Sequence, residues 1–127
     1  MTPDICLVKH DPPNSYGDCV RACVASMLDK RTADVPHFAH DGPDGDTLRK
    51  RLSDWLDAAP CWIGLPGSLD ELQEFMRVVN PGVWYMLISA DHAVVCRDGT
   101  VQHDPAWVRV ALVPPADGVW YLMVLTV

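Results

Sequence analysis

The stretch Gly17-Asp18-Cys19-Val20-Arg21-Ala22-Cys23-Val24-Ala25-Ser26-Met27-Leu28 places a thiol at the head of an amphipathic segment. The first turn of a helix has backbone N–H groups without acceptors, and its dipole favours negative charge. A cysteine there loses its proton more readily, and the thiolate is the species that attacks electrophiles. Far downstream lie His92 and, beyond an Asp98-Gly99 pair, the run His103-Asp104-Pro105-Ala106. A histidine and a carboxylate from that later region could supply a general base and the group that orients it. The chemistry this combination points to is nucleophilic attack by sulfur on an acyl carbon.

The elements that must position these residues follow from periodicity and turn chemistry. Ile5-Cys6-Leu7-Val8 forms the apolar centre of a first segment, Asp4 to Lys9, read as a strand or an extended arm. Pro12-Pro13-Asn14-Ser15-Tyr16-Gly17 resists regular structure and must be a loop. A first helix follows, with Asp18 as N-cap and Val20, Cys23, Val24, Met27 and Leu28 recurring at helical spacing. A second helix is expected from about Thr47 to Ala58, capped by Asp46, with Leu48, Leu52, Trp55 and Leu56 on one face. A third opens with the capping box Ser68-Leu69-Asp70-Glu71 and is expected to bury Leu69, Leu72, Met76 and Val79 before Asn80-Pro81-Gly82 ends it.

Beyond Gly82 the pattern changes to strands: Val83 to Ser89, Ala93 to Arg97, Thr100 to His103, Trp107 to Val113 and Val119 to Val127. Asp98-Gly99 is a two-residue hairpin signal. It pairs Arg97 with Thr100, and the same register carried onward sets Asp104 opposite Ala93, beside His92. Helices first and an antiparallel sheet afterwards is the α+β arrangement, with one core between the two layers. The whole chain, 1–127, reads as a single domain.

Bulk properties narrow the function classes. Hydrophobic residues make up 49% and charged residues 21%, the balance of a globular protein. The net charge of −7 and the scattered Lys and Arg argue against nucleic acid or an anionic membrane as partner. No apolar run approaches the ~20 residues of a membrane span. The start Met1-Thr2-Pro3-Asp4-Ile5-Cys6 lacks a secretory pattern, and five irregularly spaced cysteines do not make a disulfide framework, so reduced thiols in the cytoplasm are expected.

The order Gly17-Asp18-Cys19 on a helix, His92-Ala93-Val94-Val95, then His103-Asp104-Pro105-Ala106, resembles the papain-like cysteine peptidase superfamily. The likeness is closer to its compact bacterial and phage branches, including bacteriocin-processing (C39-like) peptidases and small phage or prophage proteins. The resemblance implies a papain-like fold with Cys19 as nucleophile, His92 as base and later acid, and Asp104 as the residue that holds the imidazole. It implies hydrolysis of a peptide or isopeptide bond in a peptide or protein substrate, with no cofactor and no metal. Amidase and transamidase chemistry would use the same constellation. Such enzymes commonly donate a hydrogen bond to the oxyanion from a glutamine upstream of the nucleophile, and this chain has none before Cys19. His10, where the phage relatives tend to carry it, and Asn14, closer to Cys19, are the candidate replacements.

Other readings stand beside this one. A catalytically inactive binding module, such as an inhibitor of a host protein, would keep the fold without turnover. A peptidoglycan-crosslink hydrolase is disfavoured by the lack of an export signal. Cys19 with Cys23, and His37 with His40, have spacings that suggest zinc, but structural zinc sites show tighter pairs and four clear ligands. Cys6, Cys23, Cys61 and Cys96 read as small buried hydrophobes, and most of the five tryptophans read as core. His103 is expected on the strand face opposite to Asp104 and away from the thiol.

Overall fold

A computed structural model describes residues 1–127 except 43, 57–59, 91, 109–110 and 126–127. The architecture is mixed α+β. Helices α1 (Cys19–Met27), α2 (Gly45–Leu56) and α3 (Leu69–Glu74) accompany a five-stranded antiparallel sheet. The strands are β1 (Cys61–Pro66), β2 (Trp84–Ile88), β3 (Ala93–Arg97), β4 (Thr100–His103) and β5 (Val119–Val124), in the spatial order β1-β5-β2-β3-β4.

The central strands are buried on both faces, and alternate residues enter two clusters rather than the one core expected. Met86, Ala93, Val95 and Met123 pack with Cys23, Val24 and Ala25 of α1 and with Leu52 of α2. Tyr85, Leu87, Val94, Cys96, Trp120 and Leu122 pack on the other face with Leu72 and Met76. This is the period-2 alternation of a strand, with helices covering both sides. One-sided burial fails because β2 and β3 are apolar at successive positions, and such strands need cover on each face.

Several local expectations are met. Ser68 and Glu71 form the reciprocal capping box of α3. Asp98 (φ 54°) and Gly99 (φ 76°) make the hairpin turn, whose two left-handed residues match the twist of the flanking strands. Glycine is needed at 99 for a second reason: a Cβ there would stand 2.4 Å from the Gln73 carbonyl oxygen.

Others are corrected. Val79 is 60% exposed, because α3 continues as a π-helical turn over Phe75–Val79 and the wider register rotates Val79 off the buried face. The second helix starts at Gly45, and its first turn is tied down by Asp44, which accepts from the Asp46 N–H and the Thr47 hydroxyl. Asp46 pairs with Arg49 instead. That helix runs to Leu56, and the remainder of its expected span lies outside the described residues. Trp107, Val108 and 111–113 belong to no strand, while 109–110 lie outside the described residues. The neighbour of β5 is β1, a strand unanticipated at Cys61–Pro66, which pairs with it from Cys61↔Val124 to Pro66↔Val119. With β2 on its other side, β5 is paired along both edges.

Asp18 precedes α1 but does not cap it with its side chain. Its carboxylate is buried and accepts from the Leu7 N–H (3.0 Å) and the Val8 N–H (3.0 Å), with Arg21 beside it at 3.3 Å. The first segment is thereby an extended arm rather than a strand, stapled across the start of α1. Asp4 and Ile5 extend the staple: the Asp4 carboxylate accepts from the Thr32 N–H (2.7 Å), and the Thr32 hydroxyl donates to the Ile5 carbonyl (2.9 Å). Replacing Asp18 with Ala leaves the Leu7 and Val8 N–H groups and Arg21 without their acceptor. The expected cost is about 2–3 kcal/mol, as for hydrogen bonds to a charged group. Urea unfolding reads it, and native-state alkylation of Cys6 should accelerate in the same variant as the arm loosens.

Candidate active site

α1 begins at Cys19 with the Asp18 carboxylate turned away to the arm, so the first N–H groups of the helix have no side-chain acceptor. The Cys19 thiol sits half-buried at that positive helix end. His92 lies in the turn between β2 and β3, held by hydrogen bonds from the Ser89 N–H (2.8 Å) and the Ser89 hydroxyl (3.2 Å) to the His92 carbonyl. Its ring is 3.1 Å from the Cys19 sulfur through Nδ1 and 2.7 Å from Asp104 Oδ1 through Nε2. Asp104 Oδ1 also accepts from the Ala106 N–H at 3.0 Å, which fixes the carboxylate. With Nε2–H committed to Asp104, the proton exchanged with sulfur is the one on Nδ1.

The hairpin reaches this arrangement by a different register from the one expected. Arg97 faces Thr100 and Cys96 faces Val101, but a bulge follows and Val95 faces His103. One extra residue on β4 brings Asp104 level with Val94 rather than Ala93. His92 precedes β3, in the turn, and the Asp104 carboxylate reaches its ring there at 2.7 Å. His103 is turned to the arm, where its Nε2 meets the Asp4 carbonyl oxygen at 2.5 Å, away from the thiol.

The structure thus brings Cys19, His92 and Asp104 together. His10 lines the same pocket, with its Nδ1 accepting from the Gly17 N–H at 3.1 Å. That bond commits Nδ1 as an acceptor, so Nε2 is the nitrogen left with a proton to donate. Gly17 is needed for the approach, since a Cβ there would lie 3.0 Å from His10 Cβ. Asn14 is exposed in the Asp11–Ser15 turn and is not part of the pocket. The pocket, of about 150 Å³, is walled by Tyr16, Val20, Leu48 and Ile88. His37 Nε2 contacts the Tyr16 carbonyl (2.7 Å), and Cys23 is fully buried in the core. Among the described residues no three His, Cys, Asp or Glu side chains are grouped to hold a metal ion.

Cys6 is the participant that sequence reasoning missed. Its sulfur lies 3.4 Å from that of Cys19, delivered there by the arm. The backbone of Cys6 is gripped on both sides: its N–H donates to the Pro105 carbonyl (2.9 Å), and the Trp107 indole donates to its carbonyl (2.5 Å). Trp107 is otherwise exposed rather than in the core. No local signal links positions 6 and 19, which a loop with two prolines separates.

Electrostatics divide the two thiols. The hydrogen bond from Cys6 pulls the Cys19 thiol down to about 5; burial opposes this, and His92 and the Ala93 N–H add to it. Cys6 is pushed far up by the same contact and by burial, with the Asp18 charge contributing, so it stays protonated and donates. Burial depresses His92, but its contacts with Cys19 and Asp104 outweigh it and the net direction is upward. Burial alone pushes Cys96 up to about 12. Between about pH 5 and the raised His92 value the stable form is a thiolate–imidazolium pair.

Compared with protein-family models, curated proteins and solved structures, the chain matches none of them.

A lowered thiol value means that thiolate is present above it and lost below it. Iodoacetamide labelling of Cys19 should therefore rise with a midpoint near pH 5 and precede labelling of the exposed Cys61 at neutral pH. His92→Ala should move the midpoint up, towards the ~8.5 of a free thiol. His103→Ala should leave it in place. Peptide mapping across a pH series reads all three.

Proposed function

We propose that this chain is a cysteine hydrolase of papain-like type that cleaves a peptide or isopeptide bond by acyl transfer to Cys19. The observation that carries the reading is the continuous line from the Cys19 sulfur through His92 Nδ1 and Nε2 to Asp104 Oδ1, at 3.1 and 2.7 Å. The α+β arrangement, with the nucleophile at a helix start and the base and its partner flanking β3 and β4, is in keeping with the resemblance of the motifs.

In this mechanism the Cys19 thiolate adds to the carbonyl carbon, forming a C–S bond and an oxyanion. The oxyanion lies within reach of the N–H groups at the start of α1 and of the His10 ring, in place of the missing glutamine. Collapse breaks the C–N bond, and the proton on His92 Nδ1 goes to the departing amine. His92, now neutral, takes a proton from water as the water attacks the thioester. The second collapse releases the carboxylic acid and restores the thiolate and the imidazolium. Asp104 holds the ring and stabilises its cationic form throughout. The described walls beside Cys19 carry no Lys, Arg, Asp or Glu, and a cavity of this size accommodates a group comparable to benzene. A substrate with an uncharged, apolar side chain next to the scissile carbonyl fits it.

The absence of a glutamine before Cys19 favours a second reading, a binding module that keeps the constellation without turnover. A fluorogenic peptide library with apolar residues before the scissile bond separates the two. Cleavage by the wild type, abolished in Cys19→Ala, is the expected result. Asp104→Asn should lower kcat more than it changes KM, because the imidazolium loses its counter-charge while the pocket is untouched. His10→Ala should cost about 10²–10³ in kcat if its ring serves the oxyanion. No cleavage of any library member, with Cys19 still rapidly alkylated, would overturn linear-peptide hydrolysis and favour the binding module.

A further inference from the structure

The contact between Cys6 and Cys19 has chemistry of its own, which does not depend on turnover at a carbonyl. A thiolate held beside a second thiol meets the two requirements of a peroxide-reactive pair: a sulfur that attacks oxygen and a sulfur that resolves the product. We propose that Cys19 and Cys6 form a reversible disulfide driven by hydrogen peroxide, with Cys19 as the attacking sulfur and Cys6 as the resolving one.

In the first step the Cys19 thiolate forms an S–O bond as the O–O bond breaks. The departing hydroxide takes the Nδ1 proton of His92 and leaves as water, so Cys19 becomes a sulfenic acid. In the second step the Cys6 sulfur attacks that sulfenic sulfur. The S–S bond forms, the S–O bond breaks, and the Cys6 proton leaves with the oxygen as a second water. Two thiols lose two electrons in all, and one peroxide becomes two waters. A dithiol reverses the change by exchange, forming its own disulfide as both protein thiols are restored.

Geometry selects Cys6 over the other cysteines. Its sulfur is 3.4 Å from Cys19 and must close to about 2.05 Å to form the bond. Cys23 is i+4 from Cys19 on the same helix, where Cβ atoms stand about 5–6 Å apart, beyond the ~3.5–4.5 Å a disulfide spans. Cys61 lies on β1, an outer strand of the sheet, and Cys96 is enclosed with Leu72 and Trp120 on the face of the sheet away from α1. Cys6 itself is only 5% exposed, so a bulky oxidised thiol from solvent has poor access to it, while its neighbour Cys19 touches it directly.

The test treats the full-length protein with equimolar hydrogen peroxide and follows intact mass and non-reducing peptide maps. The expected product has lost two hydrogens and contains a Cys6–Cys19 crosslinked peptide pair. It no longer alkylates at Cys19, and dithiothreitol restores the alkylation. Cys6→Ser should instead gain oxygen at Cys19, trapped by dimedone. A wild-type protein that accumulates sulfenic or sulfinic acid at Cys19 with Cys6 free overturns the proposal, as does a crosslink to Cys23 or Cys61. Because the readout is mass and not hydrolysis, a protein that cleaves no peptide yet forms the crosslink retains this inference and loses only the hydrolase reading.

Discussion

Asp18 sits where the N-terminal arm crosses the beginning of α1, and its carboxylate is wholly removed from solvent. A buried carboxylate is tolerated only when its oxygens are hydrogen-bonded and its charge is met. Here the backbone N–H groups of Leu7 and Val8 and the guanidinium of Arg21 meet it. The arrangement has two consequences. The carboxylate turns away from the helix end, so the N–H groups around Cys19 are not consumed by a cap. The arm is drawn across the same end, so Cys6 arrives beside Cys19. One ion pair and two backbone bonds thus set both the electrostatics of the thiol and its nearest sulfur neighbour.

The rest of the site is assembled from the far half of the chain. The bulge between Val95 and Cys96 decides which side chains of the β4 end meet His92 and which meet the arm. The extra residue on β4 sets His103 opposite Val95 and leaves Asp104, just past the strand, 2.7 Å from His92. The sheet beneath is rigidly specified because β2 and β3 are covered on both faces, by α1 and α2 on one and by α3 on the other. A site that tolerates little displacement of His92 from Cys19 benefits from that enclosure, since the turn carrying His92 joins the two most buried strands.

Local chemistry was legible in the sequence. The apolar spacing of Cys23 and Val24 set the buried face of α1, the Ser68–Glu71 box started α3, and Asp98-Gly99 turned the hairpin, because each depends on residues within one or two turns of chain. The types and order of Cys19, His92 and Asp104 pointed to a thiol, an imidazole and a carboxylate in one place. What depends on residues distant in sequence was not legible. β1 carries Gly64 and Pro66 and shows no clean alternation, so its strand character comes from pairing with β5 some sixty residues later. The register shift that seats Asp104, the use of Asp18 as a staple instead of a cap, and the meeting of Cys6 with Cys19 are likewise non-local. A carboxylate before a helix prefers its own N–H groups only until a better set of donors is brought to it. Tertiary packing supplied that set, so the sequence alone determined which groups could react, and the fold decided which of them touch.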